Sequence, residues 1–178
     1  MCPTDPRPPS ARQRILASAL LELSDRGPRL SYDVLAERAG VNKTTLYRNW
    51  PDPIDLVVDA LDAETALPSV ELTGGTAQRL RGLAQDARIR LAGRDRRIIA
   101  VVIAAAQNDE RVAAAFERYW SRRFHVAGQD AEAARLLAAQ TLFHVLVLGQ
   151  EITDEDIDRW VAIALRADGR RRASPTPP

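Results

Sequence analysis

One cysteine, Cys2, stands in 178 residues, so the chain can build no internal disulfide, thiolate zinc cluster or CxxC redox pair. Two histidines, His125 and His144, are too few for a multi-histidine metal centre, and neither has a neighbouring Ser or Cys to activate. The nine glycines include no GxGxxG or GxxxxGK pattern, which removes the phosphate-cradling loops. The expectation is therefore a protein without catalytic residues, metal or cofactor. Long apolar runs are also missing. The longest, Ile98–Ala106, is nine residues, about half of the ~18 that cross a bilayer. Met1–Pro9 carries four prolines and no apolar run, so no secretory leader is expected there, and a reducing cytoplasm is the expected location.

What is present is 46% hydrophobic and 28% charged, the balance of a folded globule. Lysine occurs once, at Lys43, so arginine supplies nearly all of the 25 basic residues. The net charge of +1 hides an uneven spread. Residues 1–50 hold eight bases against five acids, residues 51–68 five acids and no base, and the rest seventeen bases against fourteen acids. That imbalance is too small to identify a nucleic-acid binder by charge alone.

Punctuation by Pro, Gly, Ser and Asp divides the chain into helices, and no stretch alternates like a strand. Ser10 caps a helix over 11–25 with Ile15, Leu16, Ala19, Leu20 and Leu23 at helical spacing, ended by Gly27-Pro28. Ser31 caps a short helix stopped by Gly40, and Asn42 a shorter one over 43–48. Asp52 followed by Pro53 starts a fourth helix through Ala66. After a loop at 68–76, helices are predicted over 77–92, 95–107, 110–126, 130–149 and 154–168, the second of these apolar nearly all round and expected to be fully buried. Residues 1–9 and 169–178 read as disordered tails.

Ser31 to Trp50 carries the most information. Two short capped helices joined at Gly40 form a helix-turn-helix, locked by Val34, Leu35, Ala39, Val41 and Leu46. The second helix then turns Lys43, Thr44, Thr45, Tyr47 and Arg48 outward. Lys suits guanine acceptors, Thr suits hydroxyl bonds or thymine methyls, and Tyr and Arg suit phosphates. An ordinary αα-hairpin with a solvated polar face is the alternative. The acids Asp52, Asp55, Asp59 and Asp62 form either a solvated strip or a salt-bridged one that reaches the following domain.

Arg14-Ile15-Leu16, Gly27, Leu35-Ala36-Glu37-Arg38-Ala39-Gly40-Val41, Leu46-Tyr47-Arg48 and Trp50-Pro51 together resemble the tetracycline-repressor (TetR) family over residues 12–62. The resemblance implies an all-α homodimer: an N-terminal three-helix helix-turn-helix domain over 10–52, and a helical bundle over 53–168 for ligand binding and dimerisation. It places Asn42, Lys43, Thr44, Thr45 and Tyr47 on the recognition helix, with Arg48 and Asn49 closing it. Ser31 and Tyr32 fall at the backbone-facing start of the helix before. Pro53 and Asn49 depart from the family, which commonly has a phosphate-binding lysine at the first position and an aromatic or histidine at the second. The loop before Ser31 is one residue short.

Wide side chains mixed with polar ones nominate Leu83, Ala87, Leu91, Val102, Phe116, Tyr119, Trp120, Gln140 and His144 as ligand-binding residues for an apolar or aromatic molecule of unknown identity. The last two helices are expected to pair with a partner's through Leu142, Val145, Leu146, Ile157, Trp160, Val161 and Leu165. The function expected is a dimeric, sequence-specific DNA-binding repressor released by a small effector. A helical adaptor without effector is the alternative.

Overall fold

The computed structural model describes residues 9–27, 29–64, 73–127 and 130–173. They form nine α-helices: α1 Ala11–Arg26, α2 Tyr32–Ala39, α3 Lys43–Asn49, α4 Pro53–Ala63, α5 Thr76–Leu91, α6 Arg94–Ala106, α7 Glu110–Val126, α8 Ala131–Leu142 and α9 Asp154–Ala173. A π-helical turn, Phe143–Val147, follows α8. No strand occurs among the described residues, so the expected all-α class holds.

The helix starts follow local chemistry. Ser10 and Gln13 exchange side-chain and backbone hydrogen bonds in a capping box at α1. Asn42 Oδ1 accepts from the Thr44 amide at 2.9 Å, and Asp52 Oδ1 from the Ile54 amide at 2.9 Å. Ser31 occupies the cap position of α2 but its hydroxyl makes no cap bond, unlike the expectation. At α9, Thr153 and Asp156 form the reciprocal pair, with Thr153 Oγ1 accepting from the Asp156 amide at 3.1 Å.

The chain packs as two compact units. The first comprises residues 9–64 and 97–116. Its core joins Ile15, Leu16, Leu20 and Leu23 of α1 to Leu35 and Ala39 of α2, Leu46 of α3, Leu56, Val57 and Leu61 of α4, and Ile98, Val102 and Val112. Leu35, Leu46 and Leu56 are fully enclosed, each worth roughly 1.5–3 kcal/mol of burial. Glu22, also fully buried in this unit, has no hydrogen bond; Arg26 and Arg38 stand 3.6 and 3.9 Å away.

The second unit comprises residues 73–96 and 117–173, with α8 packed on both α5 and α9. Its buried polar groups are paired. Asp86 accepts from Arg123 at 2.6 Å, and Asp130 accepts from Arg79 and, at 3.1 Å, from Thr76 Oγ1.

Three sequence expectations change. Ala100 and Ala104 of α6 are exposed and Ile99, Val101 and Ile103 half-buried, so this helix is not enclosed on all sides. The 130–149 helix leaves α geometry after Leu142, where the Leu148 amide donates to the Phe143 carbonyl. The last helix continues to Ala173, because one Gly costs a helix only about 1 kcal/mol and arginines favour it. Residues 174–178, 1–8 and most of the 68–76 loop lie outside the described residues.

Candidate nucleic-acid interface

The turn between α2 and α3 is set by Gly40, whose φ of 64° is left-handed and favours a residue without Cβ. The Val41 amide donates to the Ala36 carbonyl at 2.9 Å and the Gly40 amide to Glu37 at 3.2 Å, which closes the end of α2. Leu46, with no exposed surface, then pins α3 into the core by one face. A seven-residue helix held at one buried position shows everything else. Asn42, Thr44, Tyr47, Arg48 and Asn49 are exposed; Ser31, Lys43 and Thr45 are half-exposed. Nothing in α3 is acidic, and Arg48 makes no ion pair among the described residues.

Tyr32 departs from the expectation of an outward group. It is 6% exposed, and its hydroxyl donates to the Trp50 carbonyl at 2.6 Å, so it braces the exit of α3 from within. Its ring meets the exposed Tyr47 edge-on, centroids 4.8 Å apart. Burial first, and the Asp52 charge second, push its phenol from 10.0 up to about 12. The fold thus favours the neutral phenol. That contribution is whole below pH 10 and is lost as pH rises from there towards about 12. Tyr32→Phe is expected to cost about 1 kcal/mol in urea unfolding at pH 7, because the Trp50 carbonyl loses its donor. The variant should also lose the extra decline of stability above pH 10.

Trp50 Nε1 donates to Asp59 Oδ2 at 2.8 Å, and Arg12 donates to the same oxygen at 2.7 Å, which ties the end of α3 to α4 and α1. Arg111, in the first turn of α7, bridges Asp52, Asp55 and Asp109 at 2.9 Å each. The amide of Ile54 and this guanidinium hold the Asp52 carboxyl below its ordinary range; Arg111 does the same for Asp109. The acids of α4 are therefore salt-bridged at Asp52, Asp55 and Asp59 rather than a merely solvated strip. Pro53 is exposed and offers no donor for a phosphate.

The nominated ligand residues do not form one group. Val102 is 1% exposed in the first core, with Phe116 packed against it. In the second unit, Gln140 and His144 line an open groove of about 540 Å³ with Ala139, Phe143, Leu148, Arg159 and Trp160. Leu91 lines a separate one of about 250 Å³ with Arg88, Arg96, Val145 and Gln150. Tyr119 is buried core, and Trp120 stacks on Phe124 at 5.5 Å. Leu83 and Ala87 are half-buried on α5 and line neither groove. His144 donates Nε2–H to the Glu151 carbonyl, 3.2 Å away, and meets Trp160 edge-on.

Of the nominated interface residues, Val145, Ile157, Trp160 and Val161 are between 1% and 6% exposed within the chain. Leu142, Leu146 and Leu165 are half-buried. The exposed apolar side chains are instead Leu136, Phe143, Val147, Leu148 and Ile163. Phe143 and Val147 share helical spacing with exposed Leu136 and Ala139, opposite the buried Ala133, Leu137, Thr141 and Val145.

No family model matches the chain. It is 31% identical over 121 residues to the uncharacterized HTH-type transcriptional regulator YdeS of Bacillus subtilis (strain 168), an alignment covering 67% of this chain and 60% of that relative. The chain thus spans less than two thirds of that relative's length. Among solved structures, a transcriptional regulator of the TetR family from Vibrio parahaemolyticus matches with a TM-score of 0.63 at 17% identity, over 89% of this chain and 98% of that one. The multidrug binding protein EbrR, solved with proflavin, matches with a TM-score of 0.57 at 21% identity, over 88% and 99%. An exposed helix-turn-helix in an all-α chain thus comes with the fold of solved TetR-family regulators and a sequence similar to that of an HTH-type transcriptional regulator.

Proposed function

We propose that the chain is a sequence-specific DNA-binding transcriptional regulator, working as a homodimer that presents α3 twice to a palindromic site. The observation that carries this reading is α3 itself: Leu46 is wholly buried beneath it while Thr44, Tyr47, Arg48 and Asn49 stand exposed. A side so mounted fits a major groove. Two heads related by a two-fold axis read two half-sites about one helical turn apart, within a region 10–52 that serves as the DNA-binding domain.

Residues 53–168 supply dimerisation and effector binding in this reading. The apolar face of Leu136, Phe143, Val147, Leu148 and Ile163 supports pairing of the last two helices with a partner's. The 540 Å³ groove, apolar at Phe143, Leu148 and Trp160 and polar at Gln140 and His144, has the size and lining of a small-molecule site. EbrR, solved with proflavin, has this fold, which supports an effector of that size class. Phe143 and Leu148 belong to both the groove and the exposed face, so an effector there would act on the contact between protomers. Release from the operator needs a coupling of about 1–3 kcal/mol between the two sites. No catalytic step, metal or cofactor enters this reading. A protein of this kind works in the cytoplasm, and no described helix is long and apolar enough to cross a membrane.

The test is selection of duplexes by the purified protein from a random-sequence pool, with its mass measured by light scattering. Enrichment of a two-fold-symmetric sequence by a dimer is the expected result. A monomer that enriches nothing would overturn the proposal in favour of a helical adaptor with a protein partner.

A further inference from the structure

The side of the molecule that carries α3 also carries one carboxylate aimed at it. Asp33 lies in the first turn of α2, and its Oδ1 takes the Nζ of Lys43, the first residue of α3, in an ion pair. The Asp33 side chain is 73% exposed and that of Lys43 43%. An acid in a helix's first turn ordinarily serves its own helix by complementing the dipole. Asp33 is turned instead onto the lysine of the next helix. The hydrogen bond that Lys43 donates to this carboxylate is also the main reason its ammonium is held more firmly protonated than a free lysine. Lys43 is the chain's only lysine, and of the two cations on α3 it is the one already engaged.

Resting on the DNA-binding reading, we propose that Asp33 is a positioning residue for sequence specificity. It keeps Lys43 from the phosphates of arbitrary DNA and yields it only where a base edge accepts the ammonium. Phosphate contacts are the sequence-independent part of affinity, so an engaged lysine lowers non-specific binding more than specific binding. A guanine, with its O6 and N7 acceptors in the major groove, is the base that would take the ammonium from the carboxylate.

The decisive measurement is the salt dependence of binding to two probes: a duplex enriched from a random pool by the wild-type protein, and a scrambled duplex of the same length and composition. For Asp33→Asn the log–log salt slope on the scrambled duplex should steepen by about 0.9 per protomer engaged, with affinity raised roughly fivefold. Preference for the enriched duplex falls by a similar factor. Asp33→Glu should restore the wild-type slope, and in a Lys43→Gln background Asp33→Asn should leave the slope unchanged. Circular dichroism checks that each variant is folded. An unchanged slope in Asp33→Asn, or an equal steepening without Lys43, overturns the role of Asp33 alone. Failure of the wild-type protein to bind either duplex overturns the DNA-binding reading and this one with it.

Discussion

Tyr47→Ala is expected to abolish binding to the enriched duplex while leaving helix content and dimer mass unchanged. Tyr47 is 54% exposed, and its contact within the protein is the edge-on one with Tyr32. Losing that ring pair costs the fold about 0.5–1.5 kcal/mol, a small part of the ~5–15 kcal/mol of an ordinary domain. Losing a groove or phosphate contact costs about 1–3 kcal/mol per head. A symmetric dimer loses it twice, so affinity drops by roughly two to four powers of ten, below most gel-shift detection. Fluorescence anisotropy, circular dichroism and light scattering on one preparation decide the matter. Full retention of the duplex by this variant would remove α3 from the interface.

Phe143→Arg is expected to turn the dimer into a folded monomer and, with it, to lose DNA binding. Phe143 is 55% exposed; Val147, at the end of the π turn, and Leu148, just after it, are 66% and 50% exposed. An arginine there meets solvent in the monomer, so the fold bears almost no cost. In a dimer the same charge would have to be buried without a partner, a penalty of several kcal/mol that acts twice across a two-fold axis. Light scattering before and after substitution gives the answer. The contrasting variant is Val161→Arg: at 6% exposure this position belongs to the chain's own core, and the expected result is unfolding rather than dissociation. A dimer that survives Phe143→Arg would move the interface elsewhere.

These two predictions also mark where the residues were readable in advance. Around α3 the reading held closely, because every device there is local. Asn42 and Thr44 are two residues apart, Gly40 closes a turn on Ala36 and Glu37, and Leu46 shows its apolar character directly. The bond of Tyr32 to the Trp50 carbonyl, 18 residues away, is not legible in the sequence, because an aromatic hydroxyl looks the same there whether it meets a phosphate or a backbone carbonyl. Arg111 was invisible as the partner of Asp52 and Asp55, since one arginine among many gives no sign of which acids it reaches. The last two helices show a different limit of the sequence. An amphipathic stripe says that a face is buried, and Ile157, Trp160 and Val161 are indeed buried, but it does not say against which chain.

The order of residues alone therefore decided most of the helices, the caps at Ser10, Asn42 and Asp52, the glycine turn and the outward side of α3, since each depends on chemistry within about four positions along the chain. Packing in three dimensions decided which acids found Arg111, which tyrosine was spent inside, that Lys43 is held by Asp33, and which apolar side chains remain open on α8, the π turn and α9. Those outcomes depend on distances between segments ten to more than fifty residues apart, which close only when the cores form and which no local pattern encodes.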